Sequence, residues 1–246
     1  MLQASQHGHR VILVCATRGE VGEPQDGVLN DGEHLAERRV EELVKACEIL
    51  GAEPPRFLGY EDSGMMGEPT NENPDCFWQA DFDEAVGRMA DILRDVEADV
   101  VTIYDDNGGY GHPDHIQVHR VGLAAARSLG IDHVYEATIN RTRAIEQMKM
   151  AIESGAFPEE DARDFEEDPD FGMEEQHLSY ILDVTATAAD KKAAIAIHRS
   201  QVGPDSFFLA MPDEAFAQFF GYESFALPGV RDTGGPELVT MLPGLD

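Results

Sequence analysis

Lysine is scarce in this 246-residue chain, confined to Lys45, Lys149, Lys191 and Lys192. Lys and Arg together number 18 against 48 Asp and Glu, a formal net charge of −30. A surface so short of positive charge repels nucleic acid and anionic membranes, which excludes both as default partners. Cysteine is also rare. Cys15, Cys47 and Cys76 are an odd set without C-x-x-C spacing, so no disulfide framework is expected and a reducing, cytoplasmic setting is. No apolar run reaches the ~18 residues a membrane-spanning helix needs, and no stretch reads as a signal peptide. An acidic, lysine-poor surface fits a high-salt cytoplasm, where screening removes self-repulsion. It equally fits an ordinary acidic enzyme of a GC-rich genome.

The remaining composition, 42% hydrophobic and 27% charged, is that of a folded globular chain and not of a disordered one. Residues 1–246 are expected to form a single domain. Residues 1–8 read as the last turns of a helix closed by Gly8. Val11–Ala16 is a continuous apolar run, the mark of a strand buried on both faces. Apolar positions then recur at helical spacing from Glu33 to Leu50, and Gly51 closes that helix. A short strand at 56–60, a helix at 82–94, a buried strand at 99–104, a helix at 114–129 and a strand at 134–139 follow. This alternation predicts an α/β, Rossmann-like architecture with a mostly parallel sheet flanked by helices. A helix over 141–154, a strand over 178–184, a helix over 186–200 and a short helix near 213–220 complete the reading, with the rest of the C-terminal part in loops. Residues 153–175 carry eleven acidic side chains against one basic, Arg163, and read as a solvated acidic excursion.

In open α/β sheets ligands bind at the carboxyl ends of the strands. Three loops leave such ends: Thr17–Glu20, Tyr60–Met65 and Asp105–His115. The third is the richest in chemistry, running Asn107-Gly108-Gly109-Tyr110-Gly111-His112-Pro113-Asp114-His115. Its glycines let the backbone turn sharply and approach a ligand. Pro113 suits the first turn of a helix and Asp114 the positive end of its dipole. One imidazole of this stretch could bind a divalent metal with a carboxylate orienting its neighbour. The other could donate a proton or hydrogen bond to an oxyanion. The plain alternative is a helix cap with incidental histidines. His119, one turn beyond His115, is a spare metal-ligand candidate but reads more simply as a packed helix residue. No G-x-G-x-x-G or P-loop pattern follows a strand, which disfavours a nucleotide-binding protein.

The chain resembles the LmbE-like, or GlcNAc-phosphatidylinositol de-N-acetylase (PIG-L), family of zinc-dependent deacetylases, and within it the mycothiol deacetylase and mycothiol conjugate amidase group. Thr17-Arg18-Gly19-Glu20, Arg39-Val40-Glu41-Glu42-Leu43, Leu58-Gly59-Tyr60-Glu61-Asp62-Ser63-Gly64-Met65, the glycine-histidine stretch and the tail His198-Arg199-Ser200-Gln201 carry the resemblance. It implies that His115 is a zinc ligand, that His112 stabilises the oxyanion or acts as acid, and that Asp114 orients that histidine. Tyr110 would reach the substrate carbonyl, and Arg39 and Asp62 would hold the polar substrate. The alternatives are a salt bridge from Arg39 to Glu42 or Glu33, and a turn-capping role for Asp62. The implied activity is hydrolysis of the amide of a small N-acetylglucosamine-type or thiol-sugar conjugate.

The family's opening motif, A-H-P-D-D-E, does not occur in this sequence. It would supply a histidine and an aspartate as further zinc ligands and a second aspartate as general base. The expectation is a sheet lacking its first strand, in a chain that starts one strand and half a helix into the family's fold. The expected consequences are poor metallation, weak activity and self-association as a homo-oligomer through the open edge. The rival reading is a non-catalytic sugar-binding protein that has kept the fold and lost the metal site.

Overall fold

A computed structural model describes residues 1–153 and 171–245. The acidic excursion read over 153–175 therefore lies mostly outside the described residues. The chain opens with a short helix, α1 (Leu2–Gln6), and a short strand, β1 (Val14–Cys15). Helix α2 (Leu35–Ile49) leads to β2 (Arg56–Phe57), which pairs parallel with β1. Then come α3 (Phe82–Asp95), β3 (Val100–Tyr104), α4 (Pro113–Ser128) and β4 (His133–Thr138), with β3 and β4 parallel. The described C-terminal part adds α5 (Arg141–Glu153), β5 (Tyr180–Asp183), α6 (Ala188–Ile197), α7 (Phe207–Ala210), α8 (Asp213–Phe220), β6 (Tyr222–Ala226) and β7 (Glu237–Val239).

The elements start and stop for identifiable reasons. Asp81 caps α3 by accepting the Glu84 N–H at 2.9 Å, with Asp83 and Glu84 in the first turn and Arg94 in the last, as the helix dipole favours. Pro113 opens α4, where its missing N–H costs nothing, and α4 has Arg127 in its last turn. Gly130, at φ 71°, supplies the left-handed residue after α4. Val101 and Ile103 of β3 pack with Val121 and Ala125 of α4, with Ala85, Met89 and Leu93 of α3, and with Ala16 and Leu58 beyond β1 and β2. A second core, built from Tyr135, Leu182, Val184, Phe225 and Leu242, lies under the C-terminal strands.

The α/β architecture with flanking helices stands as the sequence predicts. Its sheet is mixed, however. The larger sheet has the order β3-β4-β6-β5-β7. Strand β6 pairs antiparallel with both β4 and β5, while β5 and β7 run parallel. Neither β6 nor β7 was expected from sequence. Tyr222-Glu223-Ser224-Phe225-Ala226 mixes polar and apolar residues without a clean period, and Glu237–Val239 is too short to show one. Among the described residues β1 does not pair with β3, so β1-β2 forms a separate two-stranded sheet. The two sheets share one hydrophobic core through α3.

Candidate active site

The loop from Asp105 to His112 leaves the carboxyl end of β3 and enters α4. Asp105, buried at the strand end, ties this loop down by accepting N–H bonds from Asn107 at 3.2 Å and Gly109 at 2.7 Å. Gly108, at φ 68°, passes so close to α4 that an added Cβ would sit 2.6 Å from the Cβ of His115. That approach brings the Gly108 carbonyl within 3.0 Å of His115 Nδ1. A carbonyl can only accept, so the His115 proton sits on Nδ1 and Nε2 keeps its lone pair. His115 also stacks flat on Tyr104, with centroids 4.0 Å apart and planes 4° apart. Burial pushes its pKa down to about 4, so the ring is neutral near pH 7.

His112 is the mirror case. Its side chain caps α4, with Nδ1 accepting the Asp114 N–H at 3.1 Å. The acceptor nitrogen carries no proton, so the proton is on Nε2, which becomes a donor. Burial lowers the His112 pKa as well. The two rings lie 4.9 Å apart. Tyr110, 49% exposed, sets its ring edge toward both, at 5.1 Å from His115 and 6.2 Å from His112.

The Asp114 carboxylate takes the Ser63 hydroxyl as donor and the Ser63 N–H at 3.3 Å. It thus pins the 61–65 loop to α4 rather than bonding an imidazole. Burial is the main reason its pKa is raised well above the carboxylate range, and neighbouring Asp62 adds to the shift.

Asp62 faces the same cleft as the histidines, near enough to act electrostatically on Tyr110, His112 and His115. Its Oδ2 accepts the Val21 N–H at 3.3 Å and its Oδ1 the Gly64 N–H at 3.0 Å, so it also stiffens its own turn. Arg39 donates to the Gly19 carbonyl and to Gln201 Oε1. The salt bridge to Glu33 belongs to Arg38 instead, at 2.6 Å. Arg39 lies close to Asp62, Glu20 and Tyr110, and burial lowers its pKa. All six residues singled out in the sequence, Tyr110, His112, Asp114, His115, Arg39 and Asp62, therefore meet at one strand-end cleft. His119 turns away from it: its Nδ1 lies 3.1 Å from the Tyr104 carbonyl and 3.7 Å from the buried Glu136.

Three residues of this cleft had no role assigned from sequence. Glu20 accepts the Asp62 N–H at 3.2 Å, Ser63 bridges to Asp114, and Gln201 meets Arg39. Their partners are 42, 51 and 162 residues away, beyond the reach of any local pattern.

Residues 1–126 match the family model described as PIG-L, GlcNAc-PI de-N-acetylase. The chain belongs to this family. It is 37% identical, over 96% of its length and 84% of the relative's, to the 1D-myo-inositol 2-acetamido-2-deoxy-alpha-D-glucopyranoside deacetylase of Acidothermus cellulolyticus. The protein of the same description from Thermomonospora curvata is 36% identical, covering 100% of this chain and 92% of its own. In fold, the chain resembles the N,N'-diacetylchitobiose deacetylase of Pyrococcus horikoshii, with a TM-score of 0.55 at 19% identity over 93% of this chain and 76% of that one.

The zinc that the resemblance implies meets an incomplete donor set here. A catalytic zinc site takes three protein ligands and keeps one position open. His115 has the free nitrogen lone pair a ligand needs, and the Gly108 carbonyl holds its ring in place through Nδ1. His112 Nε2 is protonated, which unfits it as a ligand. Among the described residues no group of three or more His, Cys, Asp and Glu side chains is disposed to hold an ion. These residues do not make a zinc site on their own. Nor is any described helix long and apolar enough to cross a membrane.

Proposed function

We propose that this cleft serves amide hydrolysis on an N-acetylated amino sugar, a small conjugate of the glucosaminyl-inositol or thiol-sugar type, in a zinc-dependent enzyme of cytoplasmic type. The observation that carries the reading is the contrast at Nδ1, which faces a backbone N–H in His112 and a backbone carbonyl in His115 and so assigns the two rings opposite tautomers. One ring offers an N–H, the other a lone pair, so the two imidazoles of a single stretch do different work. His112 Nε2–H donates to the acyl oxygen as it gains charge, which is where a preorganised donor contributes most. The Tyr110 hydroxyl, on its half-exposed ring beside both histidines, is a second donor to the same oxygen. Arg39 and Asp62, with Glu20 and Gln201 around them, hold the sugar hydroxyls. Asp114 acts through Ser63 to keep the Asp62 turn against α4. His115 is the one zinc ligand this cleft would contribute; a zinc, which these residues do not hold on their own, would supply Lewis-acid polarisation and an activated water.

The incomplete donor set favours a second reading, a sugar-binding protein without catalysis. Acetate release from N-acetylglucosaminyl-inositol separates the two. The experiment supplies Zn²⁺ and compares the chain with His115→Ala, while calorimetry follows binding of the same sugar. Turnover lost in His115→Ala supports the hydrolase. Sugar binding that persists in both proteins with no acetate released supports the binding protein. A sugar that neither binds nor reacts would sink both.

A further inference from the structure

Three carboxylates lie close together beside the glycine-histidine stretch. Asp105 and Asp106 begin that loop, and Glu136 stands on the adjacent strand β4, 1% exposed. Burial is the main cause that pushes the Glu136 pKa up, and the charges of Asp106 and Asp105 add to it. Asp105 uses its oxygens locally, one on the Asn107 and Gly109 N–H groups and the other on the Thr138 hydroxyl. His119 does little for Glu136. Its Nδ1 faces the Tyr104 carbonyl at 3.1 Å, so the proton points there, and Glu136 Oε1 at 3.7 Å is too far for a hydrogen bond.

Arg231 supplies the fixed positive charge. Its Nη2 lies 3.4 Å from Glu136 Oε2 and 3.4 Å from Asp106 Oδ2. One nitrogen with two N–H groups is thus shared between a buried strand carboxylate and a loop carboxylate. The chain around Arg231 is shaped to aim it. Ala226, the last residue of β6, pairs with Glu136, and Arg231 follows in the loop to β7. The next residue, Asp232, takes the left-handed conformation at φ 57°, uncommon outside glycine. Its N–H donates to His177 Nδ1 at 3.2 Å, and the Thr233 hydroxyl donates to the Leu178 carbonyl at 2.5 Å. Those bonds hold the loop beyond Arg231, whose Nη1 turns back to the Val230 carbonyl at 2.9 Å.

We infer that Arg231 is a positioning residue for the active site: by bridging Glu136 to Asp106 it fixes the loop whose Gly108 carbonyl sets the His115 tautomer. The inference rests on the reading of this cleft proposed above. Arg231 acts through Asp106, two residues before Gly108. Without the bridge, Asp106 faces two like charges, in a chain of net charge −30 with few cations to spare. A partly exposed ion pair of this length adds little to stability by itself. What it contributes is the placement of the loop.

The test uses the full chain in three variants: Arg231→Ala, Asp106→Asn, and Arg231→Ala combined with Glu136→Gln. In Arg231→Ala, hydrogen exchange at the Asn107 and Gly109 amides should speed up at least ~10-fold. The nitrogen-15 shifts of the His115 ring should move toward the average of its two tautomers. Asp106 is 66% exposed, so Asp106→Asn removes the bridge with little risk to folding and should show the same two changes. In the double variant no buried charge is stranded, so urea stability should return to near that of the parent chain while the loop stays loose. Unchanged exchange and ring shifts in Asp106→Asn would overturn the inference. So would a double variant that regains both, because Arg231 would then serve only to neutralise Glu136. Neither readout needs turnover, so a failure to release acetate tells against the hydrolase reading and not against this one.

Discussion

His112 and His115 hold their rings 4.9 Å apart with their protons on opposite nitrogens, Nε2 of the first and Nδ1 of the second. The cause is local. One Nδ1 faces a backbone N–H at the start of α4, and the other faces the carbonyl of a glycine that only a side-chain-free residue can bring so near. Sequence spacing alone leaves both histidines open to either job, and the backbone around them divides the work.

That division predicts unequal losses. His115→Ala should remove the weak, single-ligand Zn²⁺ affinity this cleft can show, as read by titration with a chromophoric chelator. His112→Ala should leave zinc affinity within a few-fold and lower the rate of acetate release by roughly 100- to 1000-fold, the usual effect of removing one oxyanion donor. Equal zinc loss in both variants would contradict the assignment.

Ser63→Ala should destabilise the fold more than a surface serine would. The fully buried hydroxyl donates to Asp114 and accepts the Trp78 N–H at 2.9 Å, so alanine strands a buried carboxylate and a backbone donor. A loss of about 1–3 kcal/mol is expected. Urea unfolding measures it, and a change within the scatter of neutral surface substitutions would remove Ser63 from the scaffold of the site.

Acid sensitivity should shift in opposite directions for two neighbouring substitutions, measured with a chelator present. His115 titrates near 4 in the fold and ~6.5 when unfolded, so the unfolded chain takes up a proton that the fold refuses. Stability from this group is present above ~6.5 and lost as the pH falls toward 4. His115→Gln should flatten that loss. Asp114 has the reverse sign: its raised pKa gives stability that is present below ~3.9 and lost as the pH rises through its folded value. Asp114→Asn should therefore steepen the acid loss. Urea midpoints between pH 4.5 and 7.5 test both, and parallel profiles for the two variants would contradict the signs.

Glu42 is buried on α2 and accepts both the Ser200 N–H at 2.9 Å and the Ser200 hydroxyl at 2.6 Å, across 158 residues. This anchor holds the tail that brings Gln201 to Arg39. Glu42→Ala should free that tail and weaken sugar binding about 10-fold, with little effect on the rate at saturation. Isothermal titration of N-acetylglucosaminyl-inositol reads the affinity, and unchanged affinity would show that the tail needs no such anchor.

The legible parts of the molecule were those with local signals. Val100–Tyr104 is a largely apolar, β-branched run, and the glycine-histidine stretch follows two residues later, so the strand end and its chemistry could be read together. Arg39 and Asp62 came from resemblance, and the fold brings them to the same cleft. Strand β6 stayed hidden because Glu223 and Ser224 break its pattern, although pairing on both edges makes it central. Ser63, Gln201 and Glu42 stayed hidden because their partners are distant in the chain. The contact between Asp114 and Ser63 was equally out of reach, since an aspartate between two histidines suggests an imidazole partner, and only three-dimensional packing redirects it.

The most direct test of the account is the protonation state of the two imidazoles. Nitrogen-15 NMR of histidine-labelled chain near pH 7.5, with assignments from His112→Gln and His115→Gln, reads each ring nitrogen separately. The account predicts a neutral His112 carrying its proton on Nε2 and a neutral His115 carrying its proton on Nδ1. A His115 protonated on Nε2 would contradict it, because the cleft would then present no free Nε2 for a metal, and two rings in the same tautomer would contradict it, because the histidines would then share one job.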